Sequence, residues 1–252
     1  MTFHPQLISA FSQKKAVKVI SGLNNLDLDK VTAVVKAAEL GGATFVDIAA
    51  EPTLVSAIRN LTSLPICVSA VEPELLVKGI NAGADLVEIG NFDSFYSQGR
   101  RFEGPEVLEL TRRTRKLLPK VTLSVTVPHI LTLDEQVNLA EQLVVAGANI
   151  IQTEGGTSIK PSNPGVGGLI EKAAPTLAAA YSISRAVDIP VLCASGLSSV
   201  TVPMAIAAGA SGVGVGSAIN QLDSEVAMIA AVRSLVEALS VTKTAAIHQE
   251  QN

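Results

Sequence analysis

The sequence predicts an α/β chain closed into a single (β/α)8 TIM barrel with a short helical extension at its N-terminus, and three observations carry that prediction. Eight short apolar runs rich in Val and Ile recur along 252 residues, as parallel strands buried on both faces require. Helical patterns separate these runs, so strand and helix alternate. A length near the typical barrel size of about 250 residues, with 48% apolar against 17% charged residues, supplies one continuous core, and residues 1–252 are read as one domain.

Each element follows in order. Residues 4–15 precede the first strand and are expected to form a helix over one mouth of the barrel. The first run, AVKVISG from Ala16, carries Lys18. Asn24, Asn25 and Asp27 follow it, with Asp27 placed to cap the helix LDKVTAVVKAAELGG. The second run, TFVDIAA from Thr44, carries Asp47, and EPTLVSAIRNL leads from it to PICVSA at Pro65. The helix EPELLVKGINAGA then leads to DLVEIGN at Asp85, which carries Glu88. A long connection, NFDSFYSQGRRFEG, ends at a helix whose start Pro105 marks. TLSVTVP from Thr122, the helix LDEQVNLAEQLVVAGA and NIIQTEG from Asn149 come next. The second long connection, residues 155–168, reads GGTSIKPSNPGVGG. IPVLCAS from Ile189, VTVPMAIAAGA and GVGVGSAI from Gly212 complete the strands, and SEVAMIAAVRSLVEAL is the final helix. Gly42, Gly83, Gly147 and Gly209 each stand just ahead of a strand, where a left-handed C-cap ends the preceding helix.

Charge and composition exclude several classes. With a net charge of -4, no basic run longer than a pair and only six Phe, two Tyr and no Trp, the chain lacks what nucleic-acid tracking needs. No charge-free apolar stretch of membrane-spanning length occurs, so no membrane association is expected. Cys67 and Cys193 sit in apolar runs without any CxxC pattern and read as reduced core thiols. No His/Asp/Glu spacing marks a dedicated metal site, although carboxylate-bound magnesium stays open.

Two features carry chemistry. Residues 195–219 surround the ends of the seventh and eighth strands, where barrel loops bind anions through backbone N–H groups. Gly212 to Ser217 reads GxGxG within a strand rather than GxGxxG opening a helix, which excludes a dinucleotide fingerprint. Gly196, Ser198, Gly216 and Ser217 are therefore the expected phosphate contacts. The second feature is charge inside strands. Lys18, Asp47, Glu88 and Glu154 fall in the C-terminal halves of strands or beside them, face inward, and are the expected catalytic group. Lys18 is a carbonyl-attacking amine, a charged group that stabilises an enediolate or carboxylate, or the centre of an internal ion pair with Asp47 or Glu88. Ser124, Thr126 and Gln152 are expected substrate contacts inside the barrel, with Ser69 nearby. Arg100, Arg101 and Lys160, on the two long loops, are expected to close over an anionic substrate. An internal echo aligns Gly214 with Glu88, so Gly214 is expected to leave room for the phosphate.

The segments KVISGLNNLD, FVDIAAEP, VEIGNFDSFY, TEGG and GLSSVTVPMAIAAGASGVGVGSAI resemble, over nearly the whole chain, a conserved hypothetical chloroplast reading-frame family. That family, of cyanobacteria and algal plastids, carries a domain of unknown function. The resemblance implies a cyanobacterial cytoplasm or a plastid stroma as the setting and implies no reaction. The last segment resembles, more broadly, phosphate-binding barrel enzymes of thiazole, histidine, tryptophan and sugar-phosphate metabolism. What that likeness implies is confined to Gly196, Ser198, Gly216 and Ser217.

The leading expectation is an enzyme binding a small phosphorylated metabolite and acting as a lyase, isomerase or synthase. No cofactor is required by it. The alternatives are an oxidoreductase that holds the phosphate of FMN on the same loops, and a non-enzymatic metabolite sensor or scaffold. Homodimerisation is a further expectation.

Overall fold

In the computed structural model, which describes residues 4–155 and 159–247, the apolar runs are eight strands. They are β1 (Ala16–Gly22), β2 (Phe45–Ala49), β3 (Ile66–Ala70), β4 (Leu86–Ile89), β5 (Thr122–Thr126), β6 (Ile150–Gln152), β7 (Val191–Ala194) and β8 (Gly212–Val215). Each pairs in parallel with the next, and β8 pairs back with β1, so the sheet has no edge. The helices are α1 (Pro5–Ser12), α2 (Leu28–Gly41), α3 (Pro52–Arg59), α4 (Pro73–Asn81), α5 (Asp93–Tyr96), α6 (Gly104–Leu117), α7 (Leu133–Val145), α8 (Gly165–Ile183), α9 (Val202–Ala207), α10 (Ser217–Asn220) and α11 (Glu225–Ile247).

Side chains alternate along each strand, and the alternation divides the core in two. Val17, Val19, Val46, Ile48, Val87, Ile89, Val125 and Val213 belong to the larger cluster, which they form with the apolar faces of the surrounding helices. The residues between them point into the barrel. At its N-terminal mouth Ala16, Phe45, Cys67, Leu86, Ile150 and Leu192 form a separate apolar layer, closed from below by Leu7 and Phe11 of α1. The expected covering helix is thus present, with Phe11 packed edge-on against Phe45 at 6.3 Å. Above that layer the interior turns polar, and the register sets which groups share a level: Ser69 pairs with Glu88, Glu88 with Ser124, and Thr126 with Gln152.

Caps fix where the helices start. Asp27 accepts from the backbone N–H groups of Asp29 and Lys30, as its spacing predicts. Thr132 and Glu135 form a reciprocal capping box on α7. Two connections differ from the sequence reading. The expected long loop 155–168 ends early, because Gly165 already opens α8. Its Gly-rich start and the internal Pro175 hide a 19-residue helix from a periodicity reading. The run GVGVGSAI ends as a strand at Val215, and Ser217–Asn220 winds into α10. Both cysteines are buried free thiols, and no helix among the described residues is long and apolar enough to cross a membrane.

Candidate functional site

The polar interior begins with Lys18. Its ammonium donates to Glu88 Oε2 at 2.7 Å and to Gln152 Oε1 at 3.0 Å, and it lies 3.0 Å from Asp47 Oδ2. All three of its donor directions have an acceptor. Asp47 also accepts from Ser69 Oγ and from Asn91 Nδ2, the latter at 3.1 Å. Glu88 accepts from Ser124 Oγ and from Gln152 Nε2, each at 2.7 Å. Gln152 Nε2 reaches Thr126 Oγ1 as well, at 3.2 Å. Lys18, Asp47, Glu88, Ser124, Thr126 and Gln152 therefore form one buried network spanning five strands.

Electrostatics assign this network its character. Burial alone would lower the Lys18 pKa, but Asp47 and then Glu88 more than reverse that and hold it above the ordinary lysine value. Burial pushes the Glu88 carboxyl up, with the Lys18 charge opposing. Lys18 is thus an ion-paired ammonium and not a free amine. The carbonyl-attacking role expected of it does not fit this arrangement, whereas the alternative, an internal ion pair, does. Burial likewise raises the Cys67 thiol well above its usual range.

Above the network opens a cavity of about 380 Å³ at the C-terminal mouth. Gln152 and Thr126 form part of its floor, together with Ile20 and Ala194. The backbone of the loops after β7 and β8, including Ser195, Gly196, Gly216 and Ser217, lines it together with Asn91, Asp93 and Glu154. Lys18, Asp47 and Glu88 do not line the cavity; they support its floor. Asn91 and Ser195, both on the rim, are non-glycine residues with positive φ, 61° and 79°, a conformation that side chains adopt at a cost and that often marks functional loops. At Asn91 it aims the amide down onto Asp47.

Glu154 is only 4% exposed and gathers the polar groups around it. Its Oε1 accepts from Tyr96 Oη at 2.6 Å and from the His129 backbone N–H at 3.1 Å, and it meets His129 Nδ1 at 3.1 Å. Asp93 Oδ1 lies 3.5 Å from the same His129 nitrogen, while Asp93 Oδ2 accepts from Ser195 Oγ at 3.1 Å. Burial raises the Glu154 carboxyl pKa. For His129 burial works downward, and the carboxylates of Glu154 and Asp93 turn the net shift upward.

The remaining expected residues are dispersed. Ser198 is turned away from the cavity, its N–H and Oγ both engaged with Thr201 Oγ1. Arg100 pairs with Glu106 and lies over the Phe102 ring at 4.6 Å, and Arg101 and Lys160 are exposed; none of the three lines the cavity. The room expected at Gly214 is already filled. A Cβ there would stand 2.9 Å from Ala194 Cβ and 3.2 Å from Ile20 Cδ1, so this glycine admits its neighbours and not a phosphate. Part of the expected sixth loop, residues 156–158, lies outside the described residues.

Sequence reading missed Asp93, Tyr96, Asn91 and His129. Each comes from a different position on the loops after β4 and β5, so no local spacing announces the group. The available signals were the unusual length of NFDSFYSQGRRFEG and a lone histidine three residues beyond a strand, in VTVPHI.

Comparison with known proteins places this geometry in a family. The model described as "Protein of unknown function (DUF561)" matches residues 3–245. The chain belongs to the DUF561 family. Among its relatives, "Uncharacterized protein ycf23" of Pyropia yezoensis is 43% identical over 201 residues, covering 80% of this chain and 74% of the relative. The protein so described in Cyanophora paradoxa is 48% identical over 194 residues, covering 75% and 78%. Family members thus occur in plastid-bearing lineages, which accords with a plastid stroma or cyanobacterial cytoplasm. Among solved structures, a 3-hexulose-6-phosphate synthase superposes on this DUF561 chain with a TM-score of 0.62 at 15% identity, covering 88% and 99% of the two chains. That likeness is one of fold.

Proposed function

We propose that this barrel is an enzyme acting on a small phosphorylated metabolite, as a lyase or isomerase whose reaction centres on a carbon beside a carbonyl. One observation carries the reading: a single cavity joins the backbone of the β7 and β8 loops, at Gly196, Gly216 and Ser217, to a wall holding Asp93 and Glu154. Backbone N–H groups and a serine hydroxyl are suited to a phosphate without a basic side chain. The volume suits a compact ligand. With the phosphate on those loops, the reacting end of the molecule lies against Glu154 and the His129 and Tyr96 groups bonded to it, where a proton can be exchanged. Asn91, Thr126 and Gln152 are placed to bond its hydroxyl groups. Lys18, Asp47, Glu88 and Ser124 are positioning residues that fix the Gln152 amide. The kinship of fold with a 3-hexulose-6-phosphate synthase accords with this substrate class.

The test is a thermal-shift and calorimetric screen of triose, pentose and hexose phosphates beside the corresponding free sugars. At least one phosphorylated compound is expected to stabilise the protein while its free counterpart does not. Ser217→Asp places a carboxylate at the phosphate position, on the first residue of α10, where an acidic residue suits a helix. It is expected to weaken binding about tenfold or more, at least 1.4 kcal/mol, without lowering the melting temperature of the free protein. Equal response to free sugars, or unchanged affinity in Ser217→Asp, would count against the reading. Uptake of FMN to give a yellow protein would replace it with the flavin alternative.

A further inference from the structure

We infer that Asp93, His129 and Glu154 form a binding site for a single divalent metal ion of the Mn²⁺ or Zn²⁺ type, one face of which opens into the cavity. Three loops deliver one donor each: Asp93 follows β4, His129 follows β5 and Glu154 follows β6. Their donor atoms all lie within 4.8 Å of one another. His129 Nδ1 is 3.1 Å from Glu154 Oε1 and 3.5 Å from Asp93 Oδ1. Donors at right angles around an ion with bonds of about 2.1 Å stand about 3 Å apart, so small rotations complete the site.

A second observation points to the ion independently. Glu154 Oε2 and Asp93 Oδ1 are both buried, and neither has a hydrogen-bond partner among the described residues. A buried carboxylate oxygen without a donor or a cation is costly. Among the described residues that line the cavity there is no Lys or Arg to relieve it, and Asp93 and Glu154 are the only ionisable side chains. An anionic ligand entering such a cavity meets two carboxylates and no Lys or Arg among the described lining residues. A divalent ion answers both problems.

The surroundings hold the ligands in place. Tyr96 Oη and the His129 N–H bond Glu154 Oε1, and Ser195 Oγ bonds Asp93 Oδ2, as second-sphere donors commonly orient metal-binding carboxylates. One imidazole with two carboxylates is a mixed nitrogen and oxygen set, which suits Mn²⁺ or Zn²⁺ better than Mg²⁺ or a thiolate-seeking ion. Three protein ligands leave coordination positions for water or for a substrate oxygen. The ion takes the place of whatever proton His129 Nδ1 shares with Glu154, so its binding displaces that proton. The ion's role toward a substrate rests on the phosphate reading above; its binding does not.

The experiment uses the full chain, stripped with a chelator and titrated with Mn²⁺ alone and with Zn²⁺ alone by calorimetry, with electron paramagnetic resonance reading bound Mn²⁺. One ion per chain is expected. Asp93→Asn and Glu154→Gln, checked for fold by circular dichroism, should each weaken binding by about 10-fold or more. Asp93 is only partly buried in its loop, so its variant carries the test if the Glu154 variant does not fold. Absence of ion binding, or native affinity in either folded variant, overturns the site. A sugar phosphate that binds stripped protein to which Mn²⁺ and Zn²⁺ do not bind removes the ion and leaves the phosphate reading. Ion binding without any phosphorylated ligand does the reverse.

Discussion

Lys18 has no exposed surface, and its two carboxylate partners make it the most consequential single residue inside the barrel. Removing one member of such a buried set leaves the rest uncompensated and costs about 3–5 kcal/mol, whereas removing the charges together is often neutral. Lys18→Met is therefore expected to destabilise strongly by chemical denaturation. Lys18→Met combined with Asp47→Asn and Glu88→Gln should recover most of the loss. The pH dependence has a definite sign. The folded-state pKa of Lys18 is raised above its ordinary value of 10.5, so its contribution is complete below that pH and is lost as pH rises through the folded value. The alkaline limb of the stability curve should accordingly fall in the native protein and flatten in the triple variant. An identical alkaline limb in both would show that Lys18 is not held by the pair.

At the scale of the strand, β4 and β5 depend on a missing side chain. Gly90 follows β4 with φ of 158°, and a Cβ there would stand 2.0 Å from Thr126 Oγ1 and 2.5 Å from Thr126 Cβ. Thr126 must occupy that space to meet Gln152 Nε2. Gly90→Ala is therefore expected to cost about 1–3 kcal/mol, as overpacked cores do. Thr126→Ala should not rescue it, because the clashing Cβ remains, whereas Thr126→Gly should; equilibrium unfolding of the single and double variants decides it. The element scale is also where legibility changes. Strands were readable because burial on both faces forces continuous Val and Ile runs, and inward charges such as Lys18, Asp47 and Glu88 stood out against them. Glu154 stood out beside β6, but Asp93 and His129 escaped, because they meet it only after three strands have set their loops side by side. The start of α8 escaped for a local reason, since Gly165, Gly167 and Gly168 read as loop until tertiary packing winds them.

On the function proposed above, the two mouths of the barrel divide stability from binding. The N-terminal mouth is sealed by an apolar layer in which Leu7 and Phe45 are almost fully buried. The C-terminal mouth keeps buried carboxylate oxygens without hydrogen-bond partners and strained backbone at Asn91 and Ser195. Barrels commonly separate the two roles this way, with chemistry on the loops after the strands and packing beneath. The polar network around Lys18 lies between them, so a change at one end reaches the other only by disturbing that layer. Leu7→Ala is expected to cost about 2–5 kcal/mol and to leave the affinity for a phosphorylated ligand unchanged, measured by calorimetry at a temperature where the variant stays folded. Ser217→Asp, at the other mouth, should change affinity while the stability of the free protein holds. A Leu7→Ala variant that loses both would mean that α1 helps to shape the cavity through the barrel interior, and the separation of the two mouths would fail.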